Sequence, residues 1–285
     1  MSKTIKIVLL SILAAALILL MVWVIQGENW FFRDSLSIKE PIEETLEETL
    51  EEHSTSVAEG QSATEFSAAP EEIHKIVLSF LNEEIYVQST ADDSITITQQ
   101  PCDKEELQMK CRVENGVLYA ARPADFLNGF LDGGAITVFI PENYVGELDI
   151  DTASGDISLT ECTFSTIEID HVNAEVLCNG IYADEIELNG TSGEVRLYDC
   201  TITESIENNT VSGNMEFVLL SAPQNIEIDS VSGEVVVTLP QNASVATEFE
   251  SVSGQLINEF ATMAHGDTEI SVESVSGSLT IKRAA

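Results

Sequence analysis

The residues best placed to do chemistry in this chain are carboxylates that recur at fixed offsets along a short repeated phrase. Its type form is Ile226-Glu-Ile-Asp-Ser-Val-Ser-Gly-Glu-Val-Val-Val237. The phrase pivots on Gly155, Ala174, Gly193, Gly213, Gly233, Gly254 and Gly277. Six residues before each pivot stand Asp149, Glu168, Glu187, Glu207, Glu227, Glu248 and Ser271. Four before stand Asp151, Asp170, Asn189, Asn209, Asp229, Glu250 and Glu273. Carboxylates are hard oxygen donors and suit Ca²⁺ or Mg²⁺. The candidate ligands are therefore Asp149, Asp151, Glu168, Asp170, Glu187, Glu227, Asp229, Glu248 and Glu250. No EF-hand loop or glycine-rich calcium nonapeptide accompanies them, so the expected binding is diffuse and weak. The plainer reading of these columns, which comes before cation binding, is a solubilising face that discourages edge-to-edge aggregation.

Other chemistries find little support. A hydrolase that uses two carboxylates needs one pair set apart in a cleft, and a uniform ladder selects no pair. The four histidines, His53, His74, His171 and His265, are scattered and none recurs. Ser precedes the pivot in every coil except at Asn173-Ala174, but no His or Lys recurs beside it to activate a nucleophile. The serine column reads as corner structure. Between Val145 and Thr280 stand 25 acidic residues against one basic residue, Arg196. With a net charge of −37 for the whole chain, nucleic acid is excluded as a partner. No organic cofactor is expected. Five cysteines, Cys102, Cys111, Cys162, Cys178 and Cys200, lack the spacing of a zinc site. Cys102 and Cys111 flank a loop between two predicted strands and are the one candidate disulfide. Cys162 and Cys200 hold equivalent positions two coils apart, too far to bridge, and Cys178 falls in an inward column.

Something must hold these columns in line. Successive pivots are 19, 19, 20, 20, 21 and 23 residues apart. A period near twenty is the mark of a solenoid whose coils bury their apolar faces by stacking. Inward residues stand at minus seven (Leu148, Ile167, Ile186, Ile206, Ile226, Thr247, Ile270) and minus five (Ile150, Ile169, Leu188, Asn208, Ile228, Phe249, Val272). They recur at plus two (Ile157, Val176, Val195, Met215, Val235, Leu256, Leu279) and plus four (Leu159, Cys178, Leu197, Phe217, Val237, Asn258, Ile281). Residues two apart on a strand share a face, so each coil carries two short strands. Asn208 and Asn258 interrupt the apolar columns and mark either a local polar bond or a bent coil. The fold expectation is all-β: a single-stranded β-solenoid of about seven ~20-residue coils over residues 144–285.

Upstream, residues 72–143 read as less regular strands that cap the solenoid or form its first coils. They are Lys75–Leu81, Glu84–Gln88, Ser94–Gln99, Gln108–Val113, Val117–Ala121 and Ala135–Ile140. Asn115-Gly116 predicts a two-residue hairpin. Residues 26–71 read as an acidic tether. Ile7 to Ile25 carries no charge and is long enough to span a bilayer as one transmembrane helix. Lys3 and Lys6 place residues 1–6 in the cytoplasm and the rest outside. The exit of the span has bulky residues where signal cleavage needs small ones, which favours an uncleaved anchor over a cleaved signal peptide.

The run Ile136-Thr-Val-Phe-Ile-Pro-Glu-Asn-Tyr-Val-Gly-Glu-Leu-Asp-Ile-Asp-Thr-Ala-Ser-Gly-Asp-Ile-Ser-Leu159, followed by repeated Val-Ser-Gly-Glu-Val, resembles a bacterial family of unknown function labelled "putative adhesin". The resemblance covers about Ile73 to Lys282. Some members of that family sit beside envelope-stress regulators of the Lia type in Gram-positive bacteria. It implies a membrane-tethered β-solenoid in the bacterial cell envelope, and it offers no catalytic residues to carry over. The leading functional expectation is a non-enzymatic surface-binding or adhesion-like module that takes an envelope protein or a cationic ligand. A carbohydrate-active β-helix enzyme and an accessory of an envelope-stress membrane system are the alternatives.

Overall fold

The computed structural model describes residues 60–100, 108–122, 134–261 and 263–284. The expected transmembrane span at 7–25 and the tether up to residue 59 lie outside them. Among the described residues no helix is long and apolar enough to cross a membrane. The described residues form an all-β, solenoid-like sheet, with a turn of 3₁₀ helix at Pro70–Glu72 among them.

In chain order the strands are β1 (Gln61–Ala63), β2 (Glu65–Ala68), β3 (Lys75–Phe80), β4 (Glu84–Thr90), β5 (Ile95–Gln99), β6 (Met109–Glu114), β7 (Val117–Ala121), β8 (Ala135–Pro141), β9 (Glu147–Thr152) and β10 (Ile157–Thr160). There follow β11 (Thr166–Asn173), β12 (Val176–Asn179), β13 (Tyr182–Ser192), β14 (Val195–Ser212), β15 (Met215–Leu219), β16 (Asn225–Leu239), β17 (Val245–Ser251), β18 (Leu256–Asn258) and β19 (Thr268–Arg283). The repeat aligns them in parallel. Leu148, Ile167, Ile186, Ile206, Ile226 and Ile270 pair rung to rung, as do Ile157, Val176, Val195, Met215, Val235 and Leu279. These side chains are all buried. Each such side chain contributes about 1.5–3 kcal/mol of burial once the coils stack. A third, shorter ladder through Thr163, Tyr182 and Thr201 closes the coil, with Phe164, Ala183 and Ile202 buried behind it.

The pivot glycines are required by the stack itself. A β-carbon on Gly213 would stand 1.8 Å from the Gly193 carbonyl oxygen, and one on Gly233 would stand 1.9 Å from that of Gly213. Both also hold positive φ, +153° and +147°, which suits glycine alone among common residues. The serine beside the pivot donates across coils: Ser192 Oγ to Val172 O at 3.4 Å, and Ser253 Oγ to Val275 O at 3.4 Å. These bonds tie one corner of the stack to the next.

The solenoid begins earlier than the phrase reveals. Ile76 and Leu78 on β3 align with Leu148 and Ile150, and Ile85 and Val87 on β4 align with Ile157 and Leu159. That coil therefore carries Glu83 at the pivot. Leu118 and Ala120 on β7, with Ile136 and Val138 on β8, lie on its other side. The true cap is antiparallel: β6 and β1 extend one face, β5 and β2 the other. Residues 60–71 thus belong to the fold. The tether expected to run to residue 71 ends sooner, because β1 and β2 find strand partners and Phe66 and Ala68 pack on the core. Asn115 and Gly116 turn the β6–β7 hairpin with φ of +51° and +81°, as a type I′ turn demands.

Stacking order departs from chain order at the far end. β19 pairs with β16 on one side and with β17 and β18 on the other. The last coil in sequence is therefore inserted, and the Gly254 coil forms the outer rung. Val252, Leu256 and Ile257 are exposed there. At the near end, β3–β4 is likewise inserted between β7–β8 and β9–β10. Both inserted coils have a neighbour on each side, which hinders fraying.

The interrupting asparagines divide. Asn208 sits buried between Leu188 and Ile228 in unbroken register, and its Oδ1 has no hydrogen-bond partner among the described residues. Asn258 makes the local polar bonds: Nδ2 donates to Thr247 Oγ1 at 3.1 Å, and Oδ1 accepts from the Phe260 N–H at 2.8 Å.

Candidate functional site

Parallel pairing converts the acidic offsets into two ladders. In spatial order the first runs Asp149, Glu168, Glu187, Glu207, Glu227, Ser271, Glu248. The second runs Asp151, Asp170, Asn189, Asn209, Asp229, Glu273, Glu250. Neighbouring rungs are about 4.7–4.9 Å apart. Like charges at that distance repel by about 0.9 kcal/mol at the dielectric of water and by more nearer the protein. All nine carboxylates singled out in the sequence lie on the ladders. Glu248 and Glu250 are displaced to the outer rung by the inserted β19.

The near end is neutralised. Lys75 Nζ lies 3.0 Å from Asp149 Oδ2. Burial opposes the charge on this ammonium, but its hydrogen bond to Asp149 and the carboxylates of Asp149, Glu168 and Glu147 outweigh that and raise its pKa. The Glu168 carboxyl is also raised, first by burial and then by Asp149, Asp170 and Glu187.

Along the second ladder, side-chain hydrogen bonds link several neighbouring rungs. Ser79 Oγ donates to Asp151 Oδ2 at 3.1 Å. Asn189 Nδ2 donates to Asp170 Oδ1 at 2.9 Å and to Glu187 Oε1 at 3.0 Å. Asn209 Nδ2 donates to Asn189 Oδ1 at 3.0 Å and to Glu207 Oε1 at 3.1 Å. The chain of donors stops at Asp229. This residue is buried, only 7% exposed, yet it receives no hydrogen bond or ion pair among the described residues. Burial, then Glu273, Glu227 and Glu207, push its carboxyl up to about 6. Sequence reasoning placed Asp229 in the column but did not distinguish it from its neighbours.

The structure also shows a buried ion pair that no sequence signal announced. Glu83, fully buried at the first pivot, holds Oε1 2.6 Å from Arg122 Nη1. Its Oε2 accepts from the Leu81 and Asn82 N–H groups, each at 3.1 Å. The carboxylate folds back on its own turn, which is structural chemistry. His171 is structural too. Its Nδ1 accepts from the Ala174 N–H at 3.3 Å, and burial lowers its pKa and keeps the ring neutral. Arg196 is held by Glu194 and by Glu175, the latter at 3.5 Å.

No group of three or more His, Cys, Asp or Glu side chains among the described residues is arranged to hold a metal ion. Cys111, Cys162, Cys178 and Cys200 are free and buried. Cys111 faces the core, and its expected partner Cys102 lies outside the described residues.

A family model described as Toastrack DUF4097 matches residues 73–283. No curated protein matches the chain. Among solved structures, a putative adhesin from Bacteroides fragilis aligns with a TM-score of 0.52 and 16% identity, over 76% of this chain and 95% of that one. A putative cell adhesion protein from Clostridium sporogenes aligns at 0.37 and 12%, over 79% of this chain and 100% of that one. A putative adhesin from Parabacteroides merdae gives 0.38 and 10%, over 80% and 98%. At 16% identity the likeness to the Bacteroides fragilis protein concerns the fold.

Proposed function

We propose that this chain, which belongs to the Toastrack DUF4097 family, is a non-enzymatic binding module of a bacterial envelope, adhesion-like and held to the membrane by residues 7–25. Its solenoid faces the outside and presents the acidic ladders to cations or to cationic ligands. The uncharged run Ile7–Ile25 behind Lys3 and Lys6 supports the anchor and its orientation. The observation that carries the binding role is the register of the ladders. Carboxylates from separate coils stand in line along two columns, and Lys75 neutralises Asp149 at the near end. Such a field raises the local concentration of cations and speeds their capture.

The test titrates the full chain with Ca²⁺, Mg²⁺ and a cationic peptide while following the melting temperature. The expected result is a rise beyond that of NaCl at matched ionic strength, since a ligand that binds only the folded state stabilises it. Equal curves would overturn cation capture. Protease accessibility of the solenoid in intact cells tests the orientation, and full protection would overturn it.

A further inference from the structure

The stack leaves its core side chains incompletely covered at both ends. At the far end Leu256 stands in the plus-two column, whose other members are buried, yet it is 44% exposed. Among the described residues, the apolar side chains that pack on the core but stay half-buried are Ala243 and Phe249 at this end and Phe66 and Ala68 at the other. The two ends also match in strand direction. β1 runs antiparallel to β6, and β6 to β7, so β1 is parallel to the coils. β2 is parallel to them through β5 and β8 for the same reason. Among the described residues no strand pairs with the outer edges of β1, β2 or β18, and Met263 meets β17 only at Ala246.

The charges of the two ends are complementary. Continued towards the cap, the minus-six column runs from Asp149 through Val77 and Tyr119 to Arg112. The minus-four column runs from Asp151 through Ser79 and Ala121 to Lys110 and then Ser62. At the outer rung the same columns end in Glu248 and Glu250. Each column is therefore basic towards the cap and acidic at the far end. Arg112 holds Glu114 at 3.0 Å through Nη1, and its five donors allow a second carboxylate. Side by side the acidic ladders repel, so the ends are where two copies can meet.

We infer that copies of this chain stack head to tail, the outer rung β17–β18 of one molecule pairing in parallel with β1–β2 of the next. Continued register sets Ser62 against Glu250, and so lays β1 on Phe249–Ser251, the part of β17 beyond the Met263 contact. Lys110 and Arg112, one rung behind β1, then face Glu250 and Glu248 of the neighbouring copy. Phe249 and Leu256 of one copy and Phe66 and Ala68 of the next close over a common core. Burial of these side chains drives the contact, and strand addition gives it direction. The two surfaces differ, so the assembly is an open stack.

Sedimentation velocity of the full chain in a non-ionic detergent, at physiological ionic strength and over a range of protein concentrations, tests the stack. The native chain is expected to form species beyond the dimer as concentration rises. E248K/E250K places like charges opposite Lys110 and Arg112, and is expected to raise the concentration needed at least about tenfold. E142K/E204K makes the same charge change at two exposed positions away from the outer rung and is expected to leave association unchanged. Circular dichroism confirms that each variant is folded. S62C/E250C, treated with a short bis-maleimide, locates the contact. Within one copy these positions lie about ten rungs, or about 48 Å, apart, so only neighbouring copies can be bridged. A ladder of dimers, trimers and longer products is expected on a denaturing gel, against the native chain as background. A monomer at every concentration would overturn the stack. So would association that E248K/E250K leaves unchanged, or bridged products no longer than those of S62C alone.

Discussion

The His171 ring occupies the space that a side chain on Gly190 would need. A β-carbon built on Gly190 would stand 2.5 Å from His171 Nε2 and 2.6 Å from Cε1. The two residues are register partners on β11 and β13. His171 uses the space to cap the one corner of the repeat built on Ala174. The expected consequence is non-additivity. Gly190→Ala and His171→Ala should each destabilise the fold, while the double variant should cost at least about 1 kcal/mol less than their sum. Urea unfolding of the four proteins measures the coupling.

Two glycines with positive φ should respond differently to alanine. At Gly213 a β-carbon meets the Gly193 carbonyl at 1.8 Å, with φ at +153°. At Gly180, φ is +65° and the nearest atom is a flexible one, Glu161 Cγ at 3.4 Å. Gly180→Ala should therefore cost only the left-handed strain, about 1–2 kcal/mol. Gly213→Ala forces two coils apart and should exceed about 4 kcal/mol. Similar midpoints for the two variants would contradict the stacking explanation of the pivots.

Breaking the Glu83–Arg122 pair removes a carboxylate counter-charge from a buried guanidinium. Glu83→Gln should destabilise by about 3–5 kcal/mol. Replacing both partners with apolar residues removes the buried charge as well, so E83L/R122M should recover part of the loss. Denaturant midpoints check the order.

Asp229 makes a signed pH prediction. Its folded pKa, about 6, lies above the ordinary 3.8. The folded state holds this proton more tightly, so ionising Asp229 opposes folding. That penalty is complete above pH 6 and is relieved as pH falls from about 6 towards 3.8. The groups facing Asp229 are Glu207 and Asn209 on β14, Glu227 on its own strand, and Glu273 and Ser271 on β19. In EDTA, D229N should melt higher than the native chain at pH 7.5, and the curves should converge towards pH 4.5. A gap independent of pH would refute the assignment.

The buried thiols should be inert in the folded protein. Burial pushes Cys111 and Cys162 up to about 12, the latter assisted by Glu161. Cys178 is raised as well, by burial and by the neighbouring thiols. Labelling with a maleimide at pH 7.5, resolved by mass spectrometry, should reach Cys111, Cys162, Cys178 and Cys200 only at the rate of unfolding. Fast labelling at Cys178 would contradict the packing.

Much of this architecture is legible along the chain because the relevant spacing is local. The inward columns headed by Leu148, Ile150, Ile157 and Leu159 pair as their offsets require, and Asn115-Gly116 turns as its chemistry dictates. The coil around Glu83 escapes notice because a glutamate stands where the phrase has glycine. What permits it is a contact with Arg122, which is remote in sequence. The second corner is equally silent. Glu161 and Asp199 hold positive φ there, both at +54°, with Gly180 between them at +65°. Only geometry identifies them as equivalent.

The repeat, its two faces and the alignment of its carboxylates follow from the amino-acid order alone, since strand alternation and a twenty-residue period dictate which side chains point outward. Stacking order does not follow. Every coil presents nearly the same apolar edge and the same backbone donors, so local pattern cannot choose among neighbours. The tertiary structure makes that choice when it slots β19 between β16 and β17. Glu273, rather than the Glu250 that chain order would supply, then faces Asp229. The sequence alone determines that acids line this surface, and the topology decides which two of them stand on neighbouring rungs.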